Sequence, residues 1–362
     1  MAISKTPLNF LTFAAILGVF GLLVFLVSQQ IIDRYTARIL SLAGIYIIIS
    51  LGLNLISGFT GQLALGHAGF MALGAYTSSI VLLATHGSNA PLNGGVFLLA
   101  LVAGGIIAAL FGLVIGIPAL RLRGDYLAIA TLGFGEIIRV VLTNLDDGVA
   151  AFGRQFLGWD MDAKITIVGG AAGLKDITRY GSGPSQELLG FVWVFGTMLV
   201  VLALLTFLIR SRHGRAFLAI REDEIAASAM GVPISRYKVL AFTISAFIAG
   251  VGGALYAPIQ GYMNITDFNF IKSIDFLIII VLGGMGSLTG TVAAGFFYII
   301  LQSLLSFTPA IIKDNKVLFI ATALIAMMLF RPQGLLGNKE FSIRTLLDKT
   351  FFRKKETGGV GK

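Results

Sequence analysis

Residues Arg210–Lys238, RSRHGRAFLAIREDEIAASAMGVPISRYK, interrupt a chain that is otherwise a succession of long apolar runs. Six Lys/Arg, three acids and a histidine crowd into these 29 residues, so the stretch belongs in water while its flanks do not. Two short elements are legible in it. Gly214–Arg221 continues the preceding helix, with Phe217 and Ile220 on one side. The second has its own punctuation: Asp223 suits an N-cap, Gly231 the C′ position, and Pro233 prevents continuation. That leaves Glu224–Met230, roughly 10 Å of helix, which is marginal alone in water and needs something to lie against. The stretch is either a solvated basic loop or a docking helix for a cytoplasmic partner, and the surrounding chain decides between them.

Of 362 residues, 56% are hydrophobic and 12% charged, whereas a soluble domain is about a quarter charged; the chain is a polytopic α-helical membrane protein. A net charge of +9 would suggest nucleic acid in a soluble protein, but here the excess lies in loops and tail, so membrane orientation explains it and no nucleic-acid partner is expected. There is no Cys, and His67, His86 and His213 are too scattered for a metal site. No G-x-x-x-x-G-K-[ST], H-E-x-x-H or G-x-S-x-G occurs, so no catalytic residue is assigned. If the chain works in an ATP-energised system, its nucleotide site must be borrowed.

Spans need about 20 apolar residues. Ten are read, near Leu8–Ser28, Ile39–Ser57, Leu63–Ala84, Val96–Leu120, Tyr126–Thr143, Leu188–Arg210, Val239–Pro258, Ile274–Gly283, Thr291–Phe307 and Val317–Phe330. The first is long for a signal-peptide core and lacks a small-x-small site after it, so it is read as retained. With the N-terminus inside, 17 Lys/Arg face the cytoplasm and nine lie outside; both termini are therefore expected in the cytoplasm. The organisation is a transmembrane domain, 1–336, with an external segment 145–187 and the cytoplasmic segment 210–238, followed by a basic tail, 337–362. The tail's "FFRKK" suits anionic lipid.

Three runs carry polar or breaking residues inside apolar sequence. In Asn54–Ser79, NLISGFTGQLALGHAGFMALGAYTSS, Gly58 and Gly61 turn the chain tightly between spans, and Ala64, Ala68, Ala72, Ala75 and Ser79 form a small-residue stripe. Asn54, Gln62 and His67 are each an interhelical hydrogen-bonding group or a substrate contact. In the fifth span Glu136 and Arg139 stand three apart on one face, as an ion pair or a lining of the pathway. Gly283, Gly284 and Gly286 break the run LGGMGSLTGTVAAG (Leu282–Gly295), which shares T-G-x-x-A-x-G with Thr60–Gly66. Ala246, Gly250 and Ala254 offer another close-packing face.

"GRAFLAIREDEIAASAMGV" and "G-x-T-G-Q-x-x-L-G-H" (Gly58–His67) resemble the branched-chain amino acid ABC permeases, specifically the LivM type, and "GG-x-x-GL" is matched by Gly169–Leu174. The general importer EAA motif is met at Ala226, Ala227 and Gly231, while Ile225 holds its glutamate position and the acid sits at Glu224. The resemblance runs over roughly Ile39–Gly337. It implies a type II importer-like fold in a cell membrane and a second, LivH-like permease subunit. It also implies two LivG/LivF-like ATPases that carry ATP and Mg, and an extracytoplasmic amino-acid-binding protein. No cofactor is expected on this chain. Glu222, Asp223, Glu224, Ala226, Ala227 and Gly231 are then the ATPase-coupling residues. The urea and short-chain amide permeases share these signatures, and a self-sufficient secondary transporter is the alternative of another class.

Single-cysteine labelling in this cysteine-free chain checks the orientation. Ser211→Cys and Ser342→Cys are expected to be protected from an impermeant reagent in intact cells, and Asn89→Cys and Ser182→Cys to react.

Overall fold

A computed structural model of the chain describes residues 24–86, 93–122, 124–147, 167–175, 177, 179–180, 184–306, 315–330 and 334–335, with Gly18, Gly21 and Val149. The expected first span, the gap 87–92, much of the external segment and the tail lie largely or wholly outside these. The helices are α1 Arg34–Asn54, extended by a π-turn Leu55–Phe59, α2 His67–His86, α3 Gly94–Ala119, α4 Asp125–Thr143 and α5 Pro184–Arg210. There follow α6 Arg212–Glu222, α7 Glu224–Ala229, α8 Ile234–Gln260, α9 Phe270–Gly283, α10 Leu288–Ser306 and α11 Lys316–Phe330. Among the described residues no strand is formed beyond a single antiparallel bridge, Leu174 to Met263.

Among the described residues, seven helices are long and apolar enough to cross a membrane, α1 through its π-turn, α2, α3, α4, α5, α8 and α10. Each coincides with an expected span. At 14 and 15 residues, α9 and α11 reach about 21 and 22 Å, short of a hydrocarbon core of about 30 Å, so the expected eighth and tenth spans are not of crossing length. The bundle is polytopic and helical, as its composition requires.

Its centre is α8, which packs most extensively on α3, α2 and α1. Small residues set the distance. A Cβ at Gly74 of α2 would lie 1.9 Å from the Gly250 carbonyl oxygen, and one at Gly253 would lie 2.0 Å from that of Met71. Gly104 of α3 meets Gly74 and Ala254 in the same way. The stripe read in the sequence is therefore real at Ala72, Ala75 and Ser79, all fully buried, but the tightest approach is made by Gly74, between two of its members. With hydrocarbon on the outside there is little hydrophobic force between spans, and close backbone approach supplies the packing instead.

The described part of the segment 145–187 is tied to the bundle. Asp146 accepts from the backbone N–H groups of Ile167, Val168 and Gly169 at 3.0, 2.9 and 2.8 Å. Leu174 and Met263 exchange backbone hydrogen bonds at 2.9 and 3.1 Å, which fastens the strip to the link between α8 and α9.

Gly253→Leu is expected to destabilise by about 3 kcal/mol or more, because the atom it would strike is backbone and cannot rotate away. Gly196→Ala in α5, with nothing within 4 Å of the added carbon, is expected to be neutral or stabilising by up to about 1 kcal/mol. Thermal unfolding of the purified protein in detergent compares the two.

Candidate functional site

The central hydrophilic segment folds as two helices, α6 and α7. Ser211 breaks the chain after α5 and caps α6, accepting from the N–H groups of His213 and Gly214; the expectation that Gly214–Arg221 continues the preceding helix is therefore corrected. A Ser oxygen competes well for free N–H groups, and here it starts a new helix instead of extending the old one. Phe217 and Ile220 are buried on one side of α6, as their spacing requires. Asp223 caps α7, accepting from Ile225 N at 2.7 Å and Ala226 N at 3.0 Å, and Gly231 leaves it in the left-handed conformation at φ +80°.

The faces of α7 differ from the expectation in one respect. Ala227 is buried against the protein itself, so it seats the helix and does not form the outer wall. Ile225 and the C-capping Met230 are 80% and 85% exposed, and Ala226 is exposed as well. Glu224 accepts from the ammonium of Lys238, whose side chain is only 7% exposed. That pair pins α7 to the first turns of α8. Glu222 is exposed.

Arg221, in the last turn of α6, connects this segment to the membrane. Its Nη1 donates to the carbonyl of Gly58 at 2.7 Å. A Cβ at Gly286 would come within 2.6 Å of the same nitrogen, and one at Gly61 within 3.3 Å of Arg221 Cγ, so the guanidinium fits only because these positions are glycine. The two membrane breaks themselves are joined by Asn54. Its Nδ2 donates to Ser287 O at 3.0 Å and to Thr291 Oγ1 at 2.8 Å, and its Oδ1 accepts from Gly286 N at 2.9 Å. Gly58 lies within the π-turn and not at a tight turn; the irregular stretch is 61–66, with Gly61 left-handed, which corrects the earlier reading of that junction. The second break runs from Gly283 through Gly284 and Gly286, both at positive φ.

The remaining polar positions separate into two kinds. Asn54 is fully satisfied and structural. His67 Nε2 lies 2.7 Å from Ser245 Oγ, which itself donates to Gly52 O at 2.6 Å. The single hydroxyl proton being committed, Nε2 must carry the imidazole proton and Nδ1 is a bare acceptor, buried without a partner. Both polar atoms of Gln62 are likewise buried and unpartnered. A buried group of this kind costs about 1–3 kcal/mol, and among the described residues Ser50, Ser57, Tyr76, His213 and Thr243 share the condition. Arg139 donates to Glu136 at 2.6 Å, the two side chains 32% and 34% exposed on α4, the least buried of the seven membrane-length helices.

Sequence reading missed Arg221, Lys238 and Ser245. Arg221 had a signal: it follows Phe217 by four residues and so lies on the buried side of an amphipathic helix. Among the described residues no cluster of His, Cys, Asp or Glu could hold a metal.

Comparison with known proteins is consistent throughout. The family described as "Branched-chain amino acid transport system / permease component" matches residues 35–328. The LivM permease protein of Escherichia coli K12 is 37% identical over 84% of this chain and 71% of its own length. The probable LivM of Methanocaldococcus jannaschii is 24% identical, covering 82% and 91%, and LivH of Salmonella typhimurium 27%, covering 83% and 94%. No solved structure matches. A glycine-bounded π-turn, a second break tied to it and a short capped helix outside the apolar bundle thus occur in a chain that belongs to the branched-chain amino acid transport permease family of ABC importers, in its LivM branch.

Proposed function

We propose that this chain is the LivM-type half of an ATP-driven importer that carries leucine, isoleucine, valine or related amino acids inward from an extracytoplasmic binding protein. It sits in the cell membrane as about ten spans of a type II importer-like fold, with both termini cytoplasmic. A LivH-like permease pairs with it, and two LivG/LivF-like ATPases supply ATP and Mg. The permease itself is a transport subunit and not an enzyme.

The observation that carries this reading is the Arg221 contact. A helix pair outside the apolar bundle is fastened by one guanidinium to Gly58 and stands beside Gly286, at the two places where the membrane helices are broken. Displacing α7 would move α6, and through Arg221 would pull on the π-turn and, through Asn54, on the second break. The outward side chains Ile225 and Met230 give α7 an apolar tip for an ATPase groove. A second support comes from α4. A charge at the bilayer centre costs on the order of 2.5–3.5 kcal/mol, so a third-exposed ion pair on an open span calls for cover, which a second permease subunit or the aqueous path would supply.

In vesicles holding the complete transporter, labelled leucine is expected to accumulate only with ATP inside and binding protein outside; accumulation by this chain alone would reject the reading. Arg221→Ala is expected to cut that uptake at least about tenfold at unchanged membrane abundance, a charge-assisted bond being worth about 1.5–3 kcal/mol. Ile225→Asp with Met230→Asp is expected to lose ATPase copurification while the bundle remains folded. Glu136→Ala should impair the transporter more than Glu136→Ala with Arg139→Ala, since the single change strands one charge. Equal impairment would mean that the two residues act separately.

A further inference from the structure

At the end of the bundle opposite Arg221 a cleft of about 290 Å³ opens between the start of α1, the end of α8 and the start of α5. Arg34, Arg38 and Arg179 line it together with Tyr180, Ile259 and Gln260, and no acidic side chain is in its wall. Among the described residues none of the three arginines forms an ion pair. Arg179 is set against the left-handed Gly261 that ends α8, where any side chain would strike it. Three guanidinium groups around one concavity repel one another, and a carboxylate between them would relieve the repulsion and accept paired N–H bonds. The volume is at the small end of ligand sites, which suits a molecule the size of a free amino acid. Tyr180 and Ile259 give an aliphatic side chain somewhere to rest.

The cationic surface does not end at the mouth. Arg38 donates to Gln260 Oε1 at 2.6 Å, and Gln260 Nε2 donates to the Tyr256 hydroxyl at 2.8 Å. That hydroxyl is 3.5 Å from the ammonium of Lys272, which lies over the rings of Tyr256 and Tyr46, 4.8 and 5.6 Å from their centroids. Tyr46 is eight residues along α1 from Arg38, about 12 Å deeper into the bundle. One cation therefore lies inward of the cleft, with the carboxylate of Asp275, which accepts from Tyr298, also within electrostatic reach of Tyr46; a docked protein side chain would have no use for that buried ammonium and a permeating carboxylate would.

We propose that this cleft is the carboxylate-binding mouth of the translocation route, taking the α-carboxylate of a free amino acid on Arg38 and Arg179 and passing it toward Lys272. The proposal rests on the amino-acid importer reading and names where the substrate first meets this chain.

The test is binding of labelled leucine to the complete transporter in nanodiscs, without ATP, so that it reads the cleft independently of uptake. 4-Methylpentanoate, which keeps the carboxylate and lacks the amine, is expected to compete; leucinol, which lacks the carboxylate, is not. Arg38→Gln with Arg179→Gln should weaken leucine binding about tenfold or more, and Arg38→Lys with Arg179→Lys should restore most of it, which separates loss of charge from misfolding. Equal competition by leucinol, or wild-type leucine affinity in the double glutamine variant, would overturn the proposal. So would a variant that keeps its leucine affinity and instead loses capture of the binding protein, because the arginines would then serve acidic side chains of that partner. Leucine binding by the wild type with no ATP-driven uptake would support the cleft and defeat the importer reading.

Discussion

A backbone that leaves its helix inside a membrane must find partners for its N–H and C=O groups within the protein, because lipid offers none. This permease meets that demand twice in adjacent places. Asn54 bridges the two breaks, donating twice and accepting once across the gap between them. Arg221 satisfies Gly58 from outside the bundle, while Leu65 N donates to Thr131 Oγ1 and Leu335 N to Leu282 O. Glycines at 58, 61 and 286 are the steric condition for the Asn54 and Arg221 contacts, since a Cβ at 58 or 286 would overlap a polar atom that makes them and one at 61 would crowd Arg221.

Much of this was legible beforehand. Long apolar runs located every membrane-length helix of the described chain, because a 20-residue hydrophobic stretch has few other uses. The caps of α7 were readable from Asp223 and Gly231 because capping depends on local chemistry. What the sequence did not reveal is long-range. That Asn54 would be a satisfied strut while Gln62, eight residues on, would be buried without a partner depends on what stands opposite, more than 200 residues away for Asn54. Ala227 was read as a coupling residue, and only the packing of α7 on its own bundle shows that it faces inward while Ile225 is exposed. Ser211 was passed over because the apolar run before it and the amphipathic one after it share a helical period.

The glycine contacts among α2, α3 and α8 bear on how the molecule deforms. Where helices meet through side chains, rotamers absorb small displacements; where Gly74, Gly250 and Gly253 bring backbone against backbone, nothing can rotate. These three spans are therefore held backbone to backbone, while the π-turn and the stretch 61–66 depart from the regular α-helical ladder. A displacement that leaves these contacts intact would have to be taken up outside them, and the two breaks are places where the regular helix is already interrupted.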